Sequence, residues 1–305
     1  MLEFRAPADP EIERLATDLA GIDPDGSRWA GVLRRTYDML YNGQETGRYK
    51  WEQLFKTEKT HFGTLFEINA QREFGFYDGD TLDYSISGIE VDAKWSQRDG
   101  GWMLPPESFG HVVLVATGSD LTSTWSLGLV RVTEENRRTT SNRDSKTQLN
   151  PLGRAAIAWL WRDAPLSPNV LLQLPGSVVD HILEPRSGQE KILRLLRSAE
   201  GRVIHRSTIA TVGRQLDPMK RLRGNGGART LLAKEGFLVL TGNYHGALAA
   251  RFGAPVPLPG EVVAIRVVPG AASDVPLAGG CWRRAAADEA VVVPAPLLVA
   301  PKEVT

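Results

Sequence analysis

The spacing of hydrophobic and polar positions predicts alternating helices and strands in the N-terminal half of the chain. Apolar residues recur at helical intervals in residues 27–40 and again in residues 60–74. Asn150 and Pro151 are typical of a helix start, and we expect that helix to run to about Trp161. Alternating or continuously apolar runs predict strands at residues 82–86, 89–95, 111–117 and 125–132.

The C-terminal half is predicted to contain short helices followed by a few strands. It begins after residues 163–169, a stretch with two prolines that we interpret as a linker. The predicted helices lie at residues 189–199, 207–212 and 228–234, and the predicted strands at residues 237–240 and 262–267. Helices followed by a small β-ribbon are the ingredients of a winged helix-turn-helix.

The single cysteine, Cys281, restricts both the compartment and the chemistry. It excludes an intrachain disulfide and a thiolate metal cluster, and it fits a reducing cytoplasm. The N-terminus lacks the basic and apolar blocks of a signal peptide, and no apolar run approaches the ~18 residues of a membrane span. We therefore expect a cytoplasmic protein with no membrane partner.

The formal net charge of zero hides a segregation of charge along the chain. Residues 1–30 contain seven acids and three bases, a net of −4, whereas residues 188–235 contain eleven bases and four acids, a net of +7. Such segregation indicates that one region meets a polyanion such as nucleic acid. A solvated basic helix face would have the same composition.

A charged hairpin is predicted at residues 82–97. If Ser87-Gly88 is a two-residue turn, the numbers of opposing residues sum to 175, so Asp83 faces Asp92. Alternation along the second strand places Glu90, Asp92 and Lys94 on one face. Two carboxylates and an ammonium on one face suit Mg²⁺ and a phosphate, because Mg²⁺ binds through a few carboxylates, waters and phosphate oxygens. An amphipathic edge strand would show the same alternation.

Glu67 is a candidate third carboxylate for the same cation. It lies in the predicted helix of residues 60–74, and its helical neighbours are small or polar, so it is not a core residue. An exposed glutamate on a solvated helix face is the alternative interpretation.

The order of these charged residues resembles the PD-(D/E)xK nuclease signature. A helix glutamate, Glu67, is followed by Asp83, then by eight residues, and then by Asp92-Ala93-Lys94. Leu82 stands where that signature often has proline. Longer segments make the chain similar to the NaeI family of restriction endonucleases over about residues 23–268. These segments are LYNGQETGRYKWEQLFKTEKTHFGTLFEINAQREF from Leu40, LDYSISGIEVDAKWS from Leu82, GGWMLPPESFGH from Gly100, SNRDSK from Ser141 and IATVGRQLDPMKRLRGNGGARTLLAKEG from Ile209.

The resemblance implies a bacterial, homodimeric type II (IIE) enzyme of restriction-modification that needs Mg²⁺ and cuts double-stranded DNA at the palindrome GCCGGC. The family's catalytic positions fall on Glu67, Asp83, Asp92 and Lys94, and the three carboxylates are the implied metal ligands. The implied fold is an α/β (α+β) restriction-endonuclease-like domain with a mixed sheet at residues 1–163, a linker at 164–172 and a winged-helix-like domain at 173–305. In the family that second domain binds a second DNA copy, which stimulates cleavage, so the dimer engages two sites.

Two polar clusters are candidate DNA contacts. Arginine is the commonest reader of guanine, and glycines permit close approach of backbone to phosphate. The first cluster is a loop with Asn142, Arg143, Asp144 and Lys146, and the second surrounds GNGG, with Lys220, Arg221, Arg223 and Arg229. Helix 228–234 is the candidate recognition helix. A solvated loop and a packing helix with solvated arginines are the alternatives.

Two other functions remain open from the sequence. The chain could be a non-catalytic regulator whose winged helix binds DNA and whose N-terminal domain dimerises or senses a ligand. It could also be a repair nickase of the same nuclease class.

Overall fold

A computed structural model describes residues 9–215, 217, 222 and 227–298. They pack into two compact units, each with its own sheet. The first comprises the described parts of Met1–Leu40 and Leu54–Ser167, and the second those of Tyr41–Gln53 and Pro168–Thr305. Residues 41–53 therefore pack with the second unit, although the sequence alone groups them with the nuclease domain.

The secondary structure elements are numbered in chain order. The helices are α1 (Pro10–Ile22), α2 (Ser27–Tyr41), α3 (Gly43–Thr46), α4 (Lys56–Phe74), α5 (Pro151–Ala155), α6 (Val170–Gln173), α7 (Gly176–Leu183), α8 (Gly188–Ser198), α9 (Arg206–Gly213), α10 (Ala228–Ala233) and α11 (Gly242–Arg251). The strands are β1 (Tyr77–Asp78), β2 (Tyr84–Ile86), β3 (Ile89–Ser96), β4 (Val112–Ser119), β5 (Thr124–Arg131), β6 (Ala158–Pro165), β7 (Val203–His205), β8 (Phe237–Thr241), β9 (Glu261–Pro269), β10 (Val275–Leu277) and β11 (Gly280–Arg284). No helix in the described ranges is both long and apolar enough to cross a membrane.

A six-stranded mixed sheet forms the centre of the first unit. Its strands lie in the order β1-β2-β3-β4-β5-β6, with β3 and β4 parallel and every other neighbouring pair antiparallel. The mixed sheet agrees with the sheet type predicted from the sequence.

The two faces of this sheet are covered differently. On one face, Trp95 of β3 stacks on Phe62 of α4, with ring centroids 4.2 Å apart, and meets the edge of Tyr37 of α2. On the other face, Val113 and Val115 of β4 pack in a core with buried residues from the connecting segments, among them Trp102, Leu104 and Leu149. Directly paired residues share a face, so Asp92 and Lys94, which pair with Val113 and Val115, lie on the Trp102 face.

The predicted helix from Asn150 to Trp161 is wrong beyond its first turn and a half. Asn150 caps α5 by accepting a hydrogen bond from the Gly153 amide at 2.9 Å, as its position predicts. The chain then enters β6, which pairs antiparallel with β5. Large aromatic residues at Trp159 and Trp161 favour a strand, and pairing with β5 satisfies backbone groups that a longer helix would have bonded locally.

The second unit places an antiparallel sheet between two cores. β9 pairs with β7, β8 and β11, and β10 pairs with β11. One core joins helices α6 to α10 with alternate residues of β8 and β9, such as Val239 and Val262. The other joins the opposite residues, such as Leu238 and Val263, to α11 and the C-terminal segment.

The sequence predicts five of the second unit's short elements and misses the others. Predicted helices and strands recur as α8, α9, α10, β8 and β9, shifted by one or two residues at their ends. Helices α3, α6, α7 and α11 and strands β7, β10 and β11 were not predicted. From Pro269 onward, where β10 and β11 lie, the sequence is rich in Ala, Gly, Pro and Val and has no clear period.

Candidate active site

The predicted hairpin forms in the predicted register. Tyr84 pairs with Val91 and Ile86 with Ile89, so the numbers of opposing residues sum to 175. Ser87 and Gly88 both have positive φ, 53° and 77°, as a type I′ turn requires. Asp83 directly precedes β2, and the same register continued by one residue places it opposite Asp92.

Lys94 brings the charged groups of the hairpin together. Its Nζ donates to Asp92 Oδ1 at 2.6 Å and to the Ala93 carbonyl at 2.8 Å, and it lies 3.3 Å from Asp83 Oδ2. The same Asp83 oxygen accepts a hydrogen bond from the Ala93 amide at 2.8 Å. Both aspartates therefore converge on one ammonium group and one strand, as the sequence predicts.

One oxygen of this cluster has no partner. Asp92 is 3% exposed, and among the described residues no hydrogen-bond donor reaches its Oδ2. Burial raises the pKa of Asp92, and the nearby Asp83 carboxylate raises it further, against the opposing effect of Lys94. A buried carboxylate oxygen without a donor is costly, and either a proton or a bound cation would satisfy it.

Glu67 approaches the same cluster from helix α4. The helix begins after Phe55, whose amide donates to the Glu58 carboxylate at 2.8 Å, and it buries Phe62 and Phe66 against the sheet. The Tyr84 hydroxyl donates to the Glu67 carbonyl at 2.8 Å, which ties the helix to β2. Burial raises the pKa of Glu67 to about 7, and the negative charge of Asp83 contributes.

The four predicted catalytic residues, Glu67, Asp83, Asp92 and Lys94, thus interact electrostatically in one region. Within the described ranges, however, no three His, Cys, Asp or Glu side chains are gathered closely enough to ligate one metal ion. Asp83 and Asp92 are the pair that Lys94 holds together, and Glu67 lies outside that pair.

Lys94 stays protonated in this environment. Burial alone would lower its pKa, but the Asp92 and Asp83 carboxylates outweigh burial and raise the pKa of Lys94. Lys94 therefore acts as a charged hydrogen-bond donor.

Glu90 supports the site in a way that the alternation pattern did not reveal. The pattern places Glu90 on the face of Asp92 and Lys94, but its carboxylate accepts hydrogen bonds from the amides of Asp80, Thr81 and Leu82 at 2.8 to 3.1 Å. These three bonds lower the pKa of Glu90. They also hold the loop that leads into Asp83, so Glu90 positions that aspartate.

The predicted DNA-contacting loop is ordered by one of its own members. Asn142 Oδ1 accepts hydrogen bonds from the amides of Asp144 at 3.0 Å and Lys146 at 2.9 Å. Thr147 and Leu104 join the loop to the Trp102 segment through a β-bridge. Arg143, Asp144 and Lys146 are exposed, and the positive charge of Lys146 slightly opposes the rise in the pKa of Glu67.

Of the four DNA-contacting residues predicted in the second unit, the structure describes only Arg229. Lys220, Arg221 and Arg223 lie outside the described residues. Arg229 lies in the first turn of α10, half-buried, and burial lowers its pKa. The helix proposed for recognition spans six residues.

The mixed sheet and flanking helices are consistent with a restriction-endonuclease-like fold.

Comparison with known proteins identifies the family. The sequence model of the family described as restriction endonuclease NaeI matches residues 13–293. The chain is also 49% identical, over 276 residues, to the type II restriction enzyme NaeI of Lentzea aerocolonigenes, covering 88% of this chain and 86% of that protein. The chain belongs to the NaeI family of restriction endonucleases and is therefore an enzyme that cuts DNA at specific sites. The match extends past Val268, where the resemblance in the sequence alone had ended.

Proposed function

We propose that the protein is a Mg²⁺-dependent type II restriction endonuclease of the IIE kind, and that Glu67, Asp83, Asp92 and Lys94 form its catalytic site. The observation that supports this most strongly is the convergence of Asp83 and Asp92 on the Lys94 ammonium, next to the unsatisfied Asp92 Oδ2. Structural ion pairs usually satisfy their buried oxygens, whereas a site that receives a ligand leaves some free.

The carboxylates suit magnesium better than a softer ion. Mg²⁺ prefers oxygen ligands and is usually held by one or two carboxylates, with waters and substrate phosphates completing its shell. Asp83 and Asp92 would hold it, with Glu67 as the adjacent third carboxylate. When bound there, Mg²⁺ supplies Lewis-acid polarisation of the scissile phosphate and makes a water more acidic.

The protein's own groups would then position the reactants. The Lys94 ammonium can donate to a phosphate oxygen or to the attacking water, and its positive charge offsets negative charge that develops on the phosphate during hydrolysis. The bond from the Ala93 amide keeps Asp83 in place, and Glu90 fixes the loop before it. The sequence of β3 therefore supplies both the reacting groups and part of their support.

The finer functional assignment rests on family membership. We propose that the enzyme acts as a homodimer on the palindrome GCCGGC in double-stranded DNA, since a two-fold protein matches a two-fold site. Asn142, Arg143, Asp144 and Lys146 would contact this DNA beside the catalytic cluster. A restriction role also agrees with the bacterial cytoplasm expected from the sequence.

We further propose that the second unit is winged-helix-like and binds a second DNA copy that activates cleavage. Its element order supports this: α8, β7, α9, α10, β8 and β9 follow the helix-strand-helix-helix-strand-strand order of a winged helix, and β9 pairs with both β7 and β8. Helix α11 occupies the place of the wing. Lys220, Arg221, Arg223 and Arg229 would meet the phosphates of this second DNA.

The test compares Lys94→Ala with the wild type on a plasmid that contains GCCGGC sites, in Mg²⁺. We expect the wild type to make linear fragments and the variant to cut at least about a hundredfold more slowly, because a charged donor to the reacting phosphate is lost. Lys56→Ala, at an exposed lysine that begins α4, is the matched control and should cut normally.

Duplex binding and thermal melting of each variant separate chemistry from folding. Lys94→Ala should bind the duplex and melt cooperatively. Full cleavage by that variant would remove the proposed mechanism, a plasmid left uncut by the wild type would favour the regulator, and a nicked product would favour the nickase.

A further inference from the structure

A cleft of about 500 Å³ opens in the first unit, away from the carboxylate cluster. It is lined by Asp99, Arg154, Ala155, Trp159 and Arg162. These residues come from the loop after β3, from α5 and from the edge strand β6. Two of the lining residues are arginines and one is an aspartate, and Arg162 also lies 3.7 Å from Asp163 Oδ2, so its charge is offset by two carboxylates.

Arg154 is the less neutralised of the two arginines. Its side-chain hydrogen bond is to the Leu149 carbonyl, at 3.4 Å, and no carboxylate among the described residues lies within ion-pair distance of it. Gly100 has a φ of +76°, and a Cβ at this position would lie 2.7 Å from Arg154 Cδ. The loop therefore approaches Arg154 closely because residue 100 has no side chain, and the Arg154 side chain is held in place beside the cleft.

Arg162 is held in a fixed orientation on the other side. Its guanidinium lies over the Trp159 ring, 4.1 Å from the centroid, and its Nη2 donates to Asp99 Oδ2 at 2.6 Å. Asp99 thus already has a cationic partner, so an anion that enters the cleft meets the uncompensated charge of Arg154. A planar guanidinium with free donors is well suited to phosphate oxygens.

The register of the sheet relates this cleft to the catalytic hairpin. Lys94 pairs with Val115, Val115 with Gly128, and Gly128 with Trp159. Paired residues share a face, so Trp159 lies on the same face as Lys94, three strands away. At about 4.8 Å per strand, the two backbone positions are about 14 Å apart. One DNA strand advances about 3.4 Å along the helix axis per phosphate, so the span corresponds to about four phosphates or fewer.

We propose that this cleft binds a backbone phosphate of the DNA being cut, with Arg154 as the direct ligand. The proposal rests on the proposed function, because it assumes that DNA lies on the side of the sheet that carries Asp92 and Lys94 and crosses the segment with Trp102 that covers the strands between Lys94 and Trp159. It adds a positioning contact that neither the sequence motifs nor family membership indicated. A phosphate contact of this kind sets the position of the duplex without reading its sequence.

The test measures the salt dependence of duplex binding in EDTA, where no cleavage occurs, for the wild type, Arg154→Gln and Arg154→Lys. Loss of one phosphate contact lowers the magnitude of the slope of log affinity against log salt by about 0.9, so loss of the contact from both subunits of the proposed homodimer lowers it by about 1.8. We expect this loss for Arg154→Gln and a nearly wild-type slope for Arg154→Lys, which keeps the charge. Arg72→Gln is the matched control, because Arg72 is exposed in the last turn of α4, the helix that packs on the opposite face.

A second measurement locates the contact. Uncharged methylphosphonates are placed singly at each phosphate of a duplex that contains GCCGGC and four flanking nucleotides on either side. We expect one position to weaken binding by the wild type but not by Arg154→Gln, because that variant has already lost the contact. Thermal melting shows that each variant is folded.

Each outcome bears on the proposal. A wild-type slope and a wild-type methylphosphonate profile in Arg154→Gln would overturn it, and so would an equal loss of slope in Arg72→Gln, which would indicate diffuse charge. Because a phosphate contact is independent of sequence, the slope can also be measured on a duplex without GCCGGC. Failure of the proposed target or of cleavage is therefore distinguishable from failure of this site.

Discussion

Each of the two units contains a buried polar cluster in which a side-chain atom has no hydrogen-bond partner among the described residues. The two clusters differ in how burial changes the protonation of their groups. In the first unit the cluster is Asp83, Asp92 and Lys94, with Asp92 Oδ2 left without a partner. In the second it is Arg229 and His245, whose Nε and Nε2 atoms are buried and have no hydrogen-bond partner among the described residues.

The difference lies in the signs of the charges. The first cluster combines two carboxylates with an ammonium, so Lys94 stays charged and its pKa is raised. The second brings together two bases: burial lowers the pKa of His245 to about 4, and the positive charge of Arg229 contributes. Neutral His245 then accepts a hydrogen bond at Nδ1 from the Thr241 amide at 3.1 Å. Burial is the largest cause of the pKa shifts of both Asp92 and His245. The opposite charges of the first cluster keep Lys94 ionised, whereas the like charge of Arg229 adds to the effect of burial and leaves His245 neutral.

The largest expected effect comes from Asp92→Asn in the first cluster. This change removes the negative charge of the unsatisfied carboxylate while Lys94 keeps Asp83, so cleavage should fall by about a thousandfold or more with the fold retained. Single-turnover cleavage in saturating Mg²⁺ measures the loss, and a cooperative thermal melt confirms folding. Cleavage within tenfold of the wild type would show that this carboxylate is structural, like the second cluster.

The second prediction concerns the pH dependence of stability through His245. Its folded-state pKa of about 4 lies below the usual 6.5, so the unfolded chain takes up the proton first. The stability that neutral His245 contributes is fully present above pH 6.5 and is lost as the pH falls toward 4. The free energy of unfolding decreases by up to about 3 kcal/mol over this range. Urea unfolding of His245→Gln at pH 7 and pH 4 should show a smaller acid loss than the wild type.

His61→Gln is the control for that measurement, because His61 is exposed on α4. It should lose stability in acid as the wild type does. Equal acid loss in His245→Gln and the wild type would show that His245 is not held neutral by its surroundings.

The smallest expected effect is that of Arg229→Met on the decrease in unfolding free energy between pH 7 and pH 4. Removing the neighbouring charge raises the folded-state pKa of His245 toward its usual value, so the acid loss should shrink by about 1 kcal/mol or less. The same urea series measures it. An unchanged loss would mean that burial alone sets the pKa of His245 and that the two bases do not interact.

The candidate active site was predictable because its parts are close in the sequence. A two-residue turn at Ser87-Gly88 sets the register of the hairpin, and strand alternation sets the shared face of Asp92 and Lys94. Glu67 followed from its position on a helix and from the family resemblance. These inferences need only local geometry, which a few residues determine.

Elements that depend on distant partners were not predictable in the same way. The predicted helix toward Trp161 becomes strand β6 because β5 is available to pair with it. Helix α11 and the packing of residues 41–53 with the second unit also depend on contacts far along the chain, such as the bond from Asn169 Nδ2 to the Tyr49 carbonyl at 2.7 Å. Propensity is a weak signal where tertiary contacts decide the conformation.

The amino-acid sequence by itself determined the hairpin, its register and the shared face of Asp92 and Lys94, because strand alternation and turn geometry act over a few residues. Glu67 was added to them by the family resemblance. Only the tertiary structure decided which of those charges touch, that Glu90 supports the loop instead of the cation site, and that Arg154, Arg162 and Trp159 line one cleft. The physical reason is that hydrogen-bond partners, burial and shared sheet faces are properties of segments brought together by folding, and spacing along the chain does not encode them.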